Sequence, residues 1–128
     1  MPKVLLIEDE APIRTTLSRF LRLEGLEVLA AENGAQGVDL ALAEKPDLII
    51  CDLLMPELDG YQVLSTLRAN PATAAIPFVL LTASAAPEEH QAGLQRGAAA
   101  FLTKPFHLDD VRAAIARFIA LPGTDPVA

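Results

Sequence analysis

Four short apolar runs set the strongest limit on what this chain can fold into: Val4-Leu5-Leu6-Ile7, Leu48-Ile49-Ile50-Cys51, Phe78-Val79-Leu80-Leu81 and the weaker Ala98-Ala99-Ala100-Phe101-Leu102. None alternates apolar with polar residues, so each reads as a strand covered on both faces. Glu27-Val28-Leu29-Ala30-Ala31 is a fifth candidate, more polar at its start and therefore suited to a sheet edge.

Amphipathic stretches separate these runs. In the first, Ile13, Leu17, Phe20 and Leu21 fall at helical spacing, Pro12 sits in the first turn and Gly25 follows the end. The second begins at Asn33 with Gln36 three residues on, turns Val38, Ala41 and Leu42 inward and stops at Pro46. The third runs from Asp59, with Gln62 as its capping partner, to just before Asn70-Pro71. A fourth spans Pro87 to Gly97, with Glu88 and Glu89 at its positive end and Gly93 inside it. The fifth aligns Leu108, Val111, Ile115 and Phe118 behind Asp109 and Asp110.

Strands alternating with helices, joined by connections too long for hairpins, predict an α/β fold: a doubly wound, five-stranded parallel sheet with five helices on its two faces. The order 2-1-3-4-5 puts the polar second strand at an edge and brings the carboxyl ends of the first and third strands side by side, where chemistry is expected. The chain has 128 residues, enough for one folded unit over 1–120 and too few for two. Residues 121–128 read as a flexible tail or the start of a linker.

Ten Lys and Arg against seventeen Asp and Glu give a net charge of −7, which counts against direct binding to nucleic acid or an anionic membrane. One cysteine, Cys51, excludes an internal disulfide and fits a reducing compartment. The apolar run after Lys3 ends at Glu8, too early for a signal peptide or membrane span, so a cytoplasmic location is expected.

The polar residues at the carboxyl ends of the buried strands are, in chain order, Glu8 and Asp9, then Asp52, then Thr82, then Lys104 with Pro105 behind it. Three carboxylates on one edge stay ionised cheaply only with a cation between them, and hard oxygen donors suit Mg²⁺. Lys104 adds a positive charge and Thr82 a hydroxyl donor, so the same edge can take a dianionic phosphoryl group. Singly, each has an ordinary reading: Glu8-Asp9 as a helix start, Asp52 as a loop cap, Thr82 as a strand residue, Lys104 as a solvated side chain in a turn. Their shared edge is left unexplained by those readings. His90 and His107, far apart and without ligand spacing, read as surface residues, and Cys51 as a small buried hydrophobe.

Ile7-Glu8-Asp9-Glu10, the stretch from Asp52 through Met55-Pro56 to Asp59-Gly60, Leu81-Thr82-Ala83 and Lys104-Pro105-Phe106 together resemble the receiver domains of bacterial two-component response regulators over nearly the whole chain. The resemblance implies a receiver domain over 1–120 in which Asp52 accepts a phosphoryl group. It implies Mg²⁺ held by Glu8, Asp9, Asp52 and the Leu54 main-chain carbonyl, with Thr82 and Lys104 on the phosphoryl oxygens. Phe101, three residues before Lys104, takes the family's aromatic switch position and acts with Thr82 as the switch, and Lys104-Pro105 is its cis peptide. Glu8 departs from the Asp that many members carry, which bears on metal affinity.

The function implied is a phosphorylation-dependent switch, which catalyses its own phosphorylation and dephosphorylation and alters the face made by the fourth helix, fifth strand and fifth helix. Its partners would be a sensor histidine kinase or phosphotransfer protein and a downstream target or fused output domain, with a phosphorylation-dependent homodimer left open. An aspartyl-phosphate phosphatase would want an acid two residues after its nucleophile, where this chain has Leu54. A flavodoxin-like cofactor binder would not place Glu8-Asp9-Glu10 where a phosphate loop belongs. A receiver-shaped module that is never phosphorylated would not need the whole acidic, hydroxyl and lysine set.

Overall fold

The computed structural model describes residues 1–120. Ten elements alternate strictly: β1 (Lys3–Ile7), α1 (Ala11–Leu23), β2 (Glu27–Ala31), α2 (Gly34–Glu44), β3 (Leu48–Asp52), α3 (Gly60–Arg68), β4 (Phe78–Thr82), α4 (Pro87–Gln95), β5 (Ala100–Thr103) and α5 (Leu108–Ala116). The five strands form one parallel sheet in the order β2-β1-β3-β4-β5. Among the described residues no helix is long and apolar enough to cross a membrane.

The unalternating strands feed two cores at once, because successive side chains point to opposite faces. Val4, Leu6, Leu48, Ile50, Val79 and Leu81 face α1 and α5, meeting Leu17, Leu21, Val111 and Ile115. Leu5, Ile7, Ile49, Cys51, Phe78 and Leu80 join the other core, with Val63, Leu64 and Leu67 of α3 and Ala41 of α2. The helix signals hold at residue level. The Asn33 side chain accepts from Gln36 N at 2.8 Å, and Asp59 and Gln62 form a reciprocal capping box at 2.9 Å in both directions. Gly25 sits at φ 87°, as the end of α1 requires.

Two expected faces differ in detail. In α2 the fully buried positions are Gly34, Gly37 and Ala41, while Val38 and Leu42 are only half-buried. Small residues let the helix lie close on the sheet, since a Cβ on Gly37 would fall 2.4 Å from Ile7 Cδ1. In α5 the leading Leu108 is 41% exposed, because it stands in the first turn ahead of the buried Val111, Ala114 and Ile115. Gly37→Val is expected to destabilise the fold by about 1–3 kcal/mol through overpacking. An unchanged urea midpoint would show that α2 moves outward at no cost.

Candidate functional site

The parallel register aligns the carboxyl ends of the three central strands. Ile7 is paired with Cys51, Asp52 with Leu81 and Thr82 with Thr103, so the residues at and just beyond these positions share one edge. There Glu8, Asp9 and Asp52 each offer a carboxylate oxygen, all within 4.8 Å of one another. Lys104 Nζ lies 3.2 Å from Asp52 Oδ1 and 3.3 Å from Glu8 Oε2. The peptide between Lys104 and Pro105 is cis, as the resemblance implies. Thr82, buried, accepts from Ser84 N through its Oγ1 at 3.1 Å, which leaves the hydroxyl proton free to donate. All five predicted polar side chains therefore come from the one edge.

Electrically the site is short of positive charge. Glu8 is fully buried. Burial, reinforced by the Asp52 charge, pushes its carboxyl up to about 7, against the Glu10 amide and Lys104. The Glu10 amide donates to Glu8 Oε1 at 3.1 Å, and Arg14 Nη1 to the Glu8 carbonyl at 2.8 Å. Asp52 is also raised by burial, with Lys104 opposing. Burial pulls Lys104 down, but the Asp52 and Glu8 charges outweigh it and hold the ammonium above its ordinary value. Asp9 Oδ1 is buried with no hydrogen-bond partner. Three hard oxygen donors, one of them orphaned, fit a divalent cation such as Mg²⁺.

A pH dependence is expected for the metal-free domain. Glu8 binds its proton more tightly folded than unfolded, so between its ordinary value of 4.5 and about 7 the native state holds more protons. Stability should therefore fall as pH rises through that window, by at most roughly 3 kcal/mol. Urea unfolding in EDTA at pH 5 and pH 8 measures it, and greater stability at pH 8 would contradict the assignment.

Leu54 is 72% exposed, and its side chain stands at an open cavity of about 510 Å³ that Thr82, Ser84, Tyr61 and Arg96 also line. The Arg96 guanidinium covers the Tyr61 ring at 4.4 Å to its centroid. His107 is exposed, as expected. His90 is not a plain surface residue: it is half-buried, its ring stacks on Phe101 with centroids 4.5 Å apart, and Nε2 lies 2.8 Å from the Ser84 carbonyl. Ligand spacing could not reveal this role, because the stack joins α4 to β5. The one hint in the sequence is Gly93, about a turn of helix beyond His90, which clears room for the Phe101 ring. Phe101 is half-buried and packs against the core shared with α3.

A doubly wound sheet with an acidic triad, a lysine and a hydroxyl at one carboxyl edge has the make-up of a site that handles a phosphoryl group beside a cation. Comparison with known proteins makes the class specific. A family model of the response regulator receiver domain matches residues 4–116, and the chain belongs to that family. It is 37% identical over 115 residues to the DNA-binding dual master transcriptional regulator RpaA of Synechocystis, covering 90% of this chain and 48% of RpaA. The chain thus spans about half the length of that relative. The chemotaxis response regulator CheY4 of Vibrio cholerae superposes with a TM-score of 0.88 at 31% identity, covering 93% of this chain and 99% of CheY4. The receiver domain of the Pseudomonas aeruginosa sensor histidine kinase PA1611, with a magnesium ion coordinated in its active-site cleft, superposes at 0.84 with 31% identity, covering 91% and 96%. The chain is a receiver domain of the kind used as phosphorylation-dependent signalling switches.

Proposed function

We propose that Asp52 is the phosphoacceptor, and that a sensor histidine kinase or phosphotransfer protein supplies the phosphoryl group from phosphohistidine. The observation that carries this reading is Lys104 Nζ held at 3.2 Å from Asp52 Oδ1, beside two further carboxylates. A carboxylate oxygen of Asp52 attacks phosphorus in line, the P–N bond breaks, and the departing imidazole takes up a proton. Lys104 pairs with a phosphoryl oxygen, and the free Thr82 hydroxyl proton donates to another. Mg²⁺ bound by Glu8, Asp9, Asp52 and the Leu54 carbonyl would neutralise charge on the transferring group. The domain thereby supplies the chemistry of its own phosphorylation and of the later hydrolysis.

Thr82 and Phe101 form the switch, and the output is a changed α4–β5–α5 face. An apolar hollow lined by Pro12, Ile13, Thr16 and Leu17 of α1 and by Phe106, two residues after Lys104, suits the phosphodonor protein. The downstream target is a protein or an output domain, in the cytoplasm, where the kinase's phosphohistidine is available. A phosphatase acting on separate substrates is less well supported, since Leu54 offers no acid for a leaving group.

Incubation with acetyl phosphate and Mg²⁺ followed by intact-mass analysis tests the proposal. One added phosphoryl group, removed by hydroxylamine and absent in EDTA, is expected. No addition in Mg²⁺ would overturn it.

A further inference from the structure

We propose that His90 is the positioning residue that links the Thr82 hydroxyl to the Phe101 ring, through the main chain of Ser84. The inference rests on the phosphoacceptor reading and deepens it by naming a route by which the site reaches the far face. Three contacts form one chain. Ser84 N donates to Thr82 Oγ1 at 3.1 Å, His90 Nε2 meets Ser84 O at 2.8 Å, and the His90 ring lies over Phe101 with an interplanar angle of 5°. Ser84 is thus held from both sides of its backbone, by the site through its amide and by α4 through its carbonyl. Ser84 Oγ further accepts from Ala86 N at 3.2 Å, so the β4–α4 connection is a short hydrogen-bonded unit.

The Phe101 end of this chain is seated equally closely. A Cβ at position 93 would lie 2.1 Å from Phe101 Cζ and 2.7 Å from Cε2, so the ring occupies the space a side chain would otherwise fill. His90 and Gly93 stand three residues apart on α4 and therefore share the face turned to β5. Phe101 is gripped between them, one supplying a stacking plane and the other a gap.

The consequence is a coupling between two arrangements. When the Thr82 side chain turns to donate to a phosphoryl oxygen, its Oγ1 leaves the Ser84 amide. Ser84 then shifts, its carbonyl withdraws from His90, and the imidazole loses the bond that fixes its plane. With the stack released, Phe101 is free to change rotamer and α4 to move relative to β5. In the unphosphorylated protein the same contacts work in reverse, holding Phe101 in place and so biasing the site against the active arrangement.

The experiment is an NMR titration of the whole chain with beryllofluoride and Mg²⁺, a mimic of the aspartyl phosphate, on wild type, His90→Ala and His90→Phe. Amides of Thr82 to Ser84 and Lys104 report the site, while amides of α4, β5 and α5 and the Phe101 ring protons report the far face. In wild type both sets shift, and the ring-to-ring contact between His90 and Phe101 is lost. Both variants should retain the site shifts but lose more than about half of the far-face shifts, because neither can hold the Ser84 carbonyl. His90→Phe keeps an aromatic ring on Phe101, so its failure to transmit would assign the coupling to the hydrogen bond and not to packing alone. Far-face shifts of wild-type size in both variants would overturn the link. Site amides in wild type that ignore beryllofluoride would instead overturn the phosphoacceptor reading.

Discussion

Asp52→Asn is expected to abolish phosphorylation by acetyl phosphate or a phosphohistidine donor, lowering the rate by at least about 10²-fold. An amide oxygen is a poor nucleophile, and the substitution also takes one negative charge from the cluster of Glu8, Asp9 and Asp52. Its shape is nearly unchanged, so the fold should survive. The direction of the stability effect can be stated too. Asp52 is raised above its ordinary carboxylate value by burial, which means that ionised Asp52 is held at a cost despite Lys104 at 3.2 Å. Removing the charge should therefore leave the metal-free domain as stable as before or more so at neutral pH. Intact mass and urea unfolding on the same sample separate the two effects. A phosphorylated Asp52→Asn protein at normal stoichiometry would place the acceptor elsewhere, whereas a loss of phosphorylation accompanied by unfolding would contradict the expected stability and shift the test of the chemistry to Asp52→Glu.

How much of this was legible in the sequence depends on the kind of contact. The sheet was readable because Val4 to Ile7, Leu48 to Cys51 and Phe78 to Leu81 must be covered on both faces, as the three central strands of a parallel sheet between helix layers are. The placement of Glu8, Asp9, Asp52, Thr82 and Lys104 was readable because strand ends bring them to one edge, whatever the loops do. Contacts between elements escaped. The Arg14 bond to the Glu8 carbonyl depends on how the first turn of α1 leans back over β1. On α2 the expected inward face of Val38, Ala41 and Leu42 holds only for Ala41, because Leu58 and Ile7 come close enough that small Gly34 and Gly37 take the fully buried places. His90 looked like solvent-exposed helix because its partners, Ser84 and Phe101, lie six residues before it and eleven after it. Spacing along the chain encodes faces of one element; it does not encode which faces meet.

The second large effect concerns Asp9 and the cation. Its Oδ1 is buried without a hydrogen-bond partner, and a carboxylate oxygen of Asp9 lies within 4.8 Å of one from Glu8 and one from Asp52. Asp9→Ala thus removes a group that stabilises nothing in the metal-free fold, and the variant's melting temperature in EDTA should equal or exceed that of wild type. The gain from Mg²⁺ should shrink with it. A ligand present at a hundredfold excess over its Kd stabilises by about 2.7 kcal/mol, which for a domain of this size is a rise of roughly 10 °C in wild type. Losing one of three carboxylates should weaken binding by at least about tenfold and cut that rise by several degrees at the same Mg²⁺ concentration. Calorimetric melting with and without Mg²⁺ reads both halves of the expectation, and isothermal titration gives the affinity directly. Because Glu8 carries an extra methylene where many receivers have aspartate, Glu8→Asp belongs in the same series. If Glu8 holds the cation at longer reach, Glu8→Asp should bind Mg²⁺ with altered affinity while Asp9→Ala binds it at least about tenfold more weakly. Wild-type affinity in Asp9→Ala would remove Asp9 from the ligand set and leave its orphaned oxygen without a purpose.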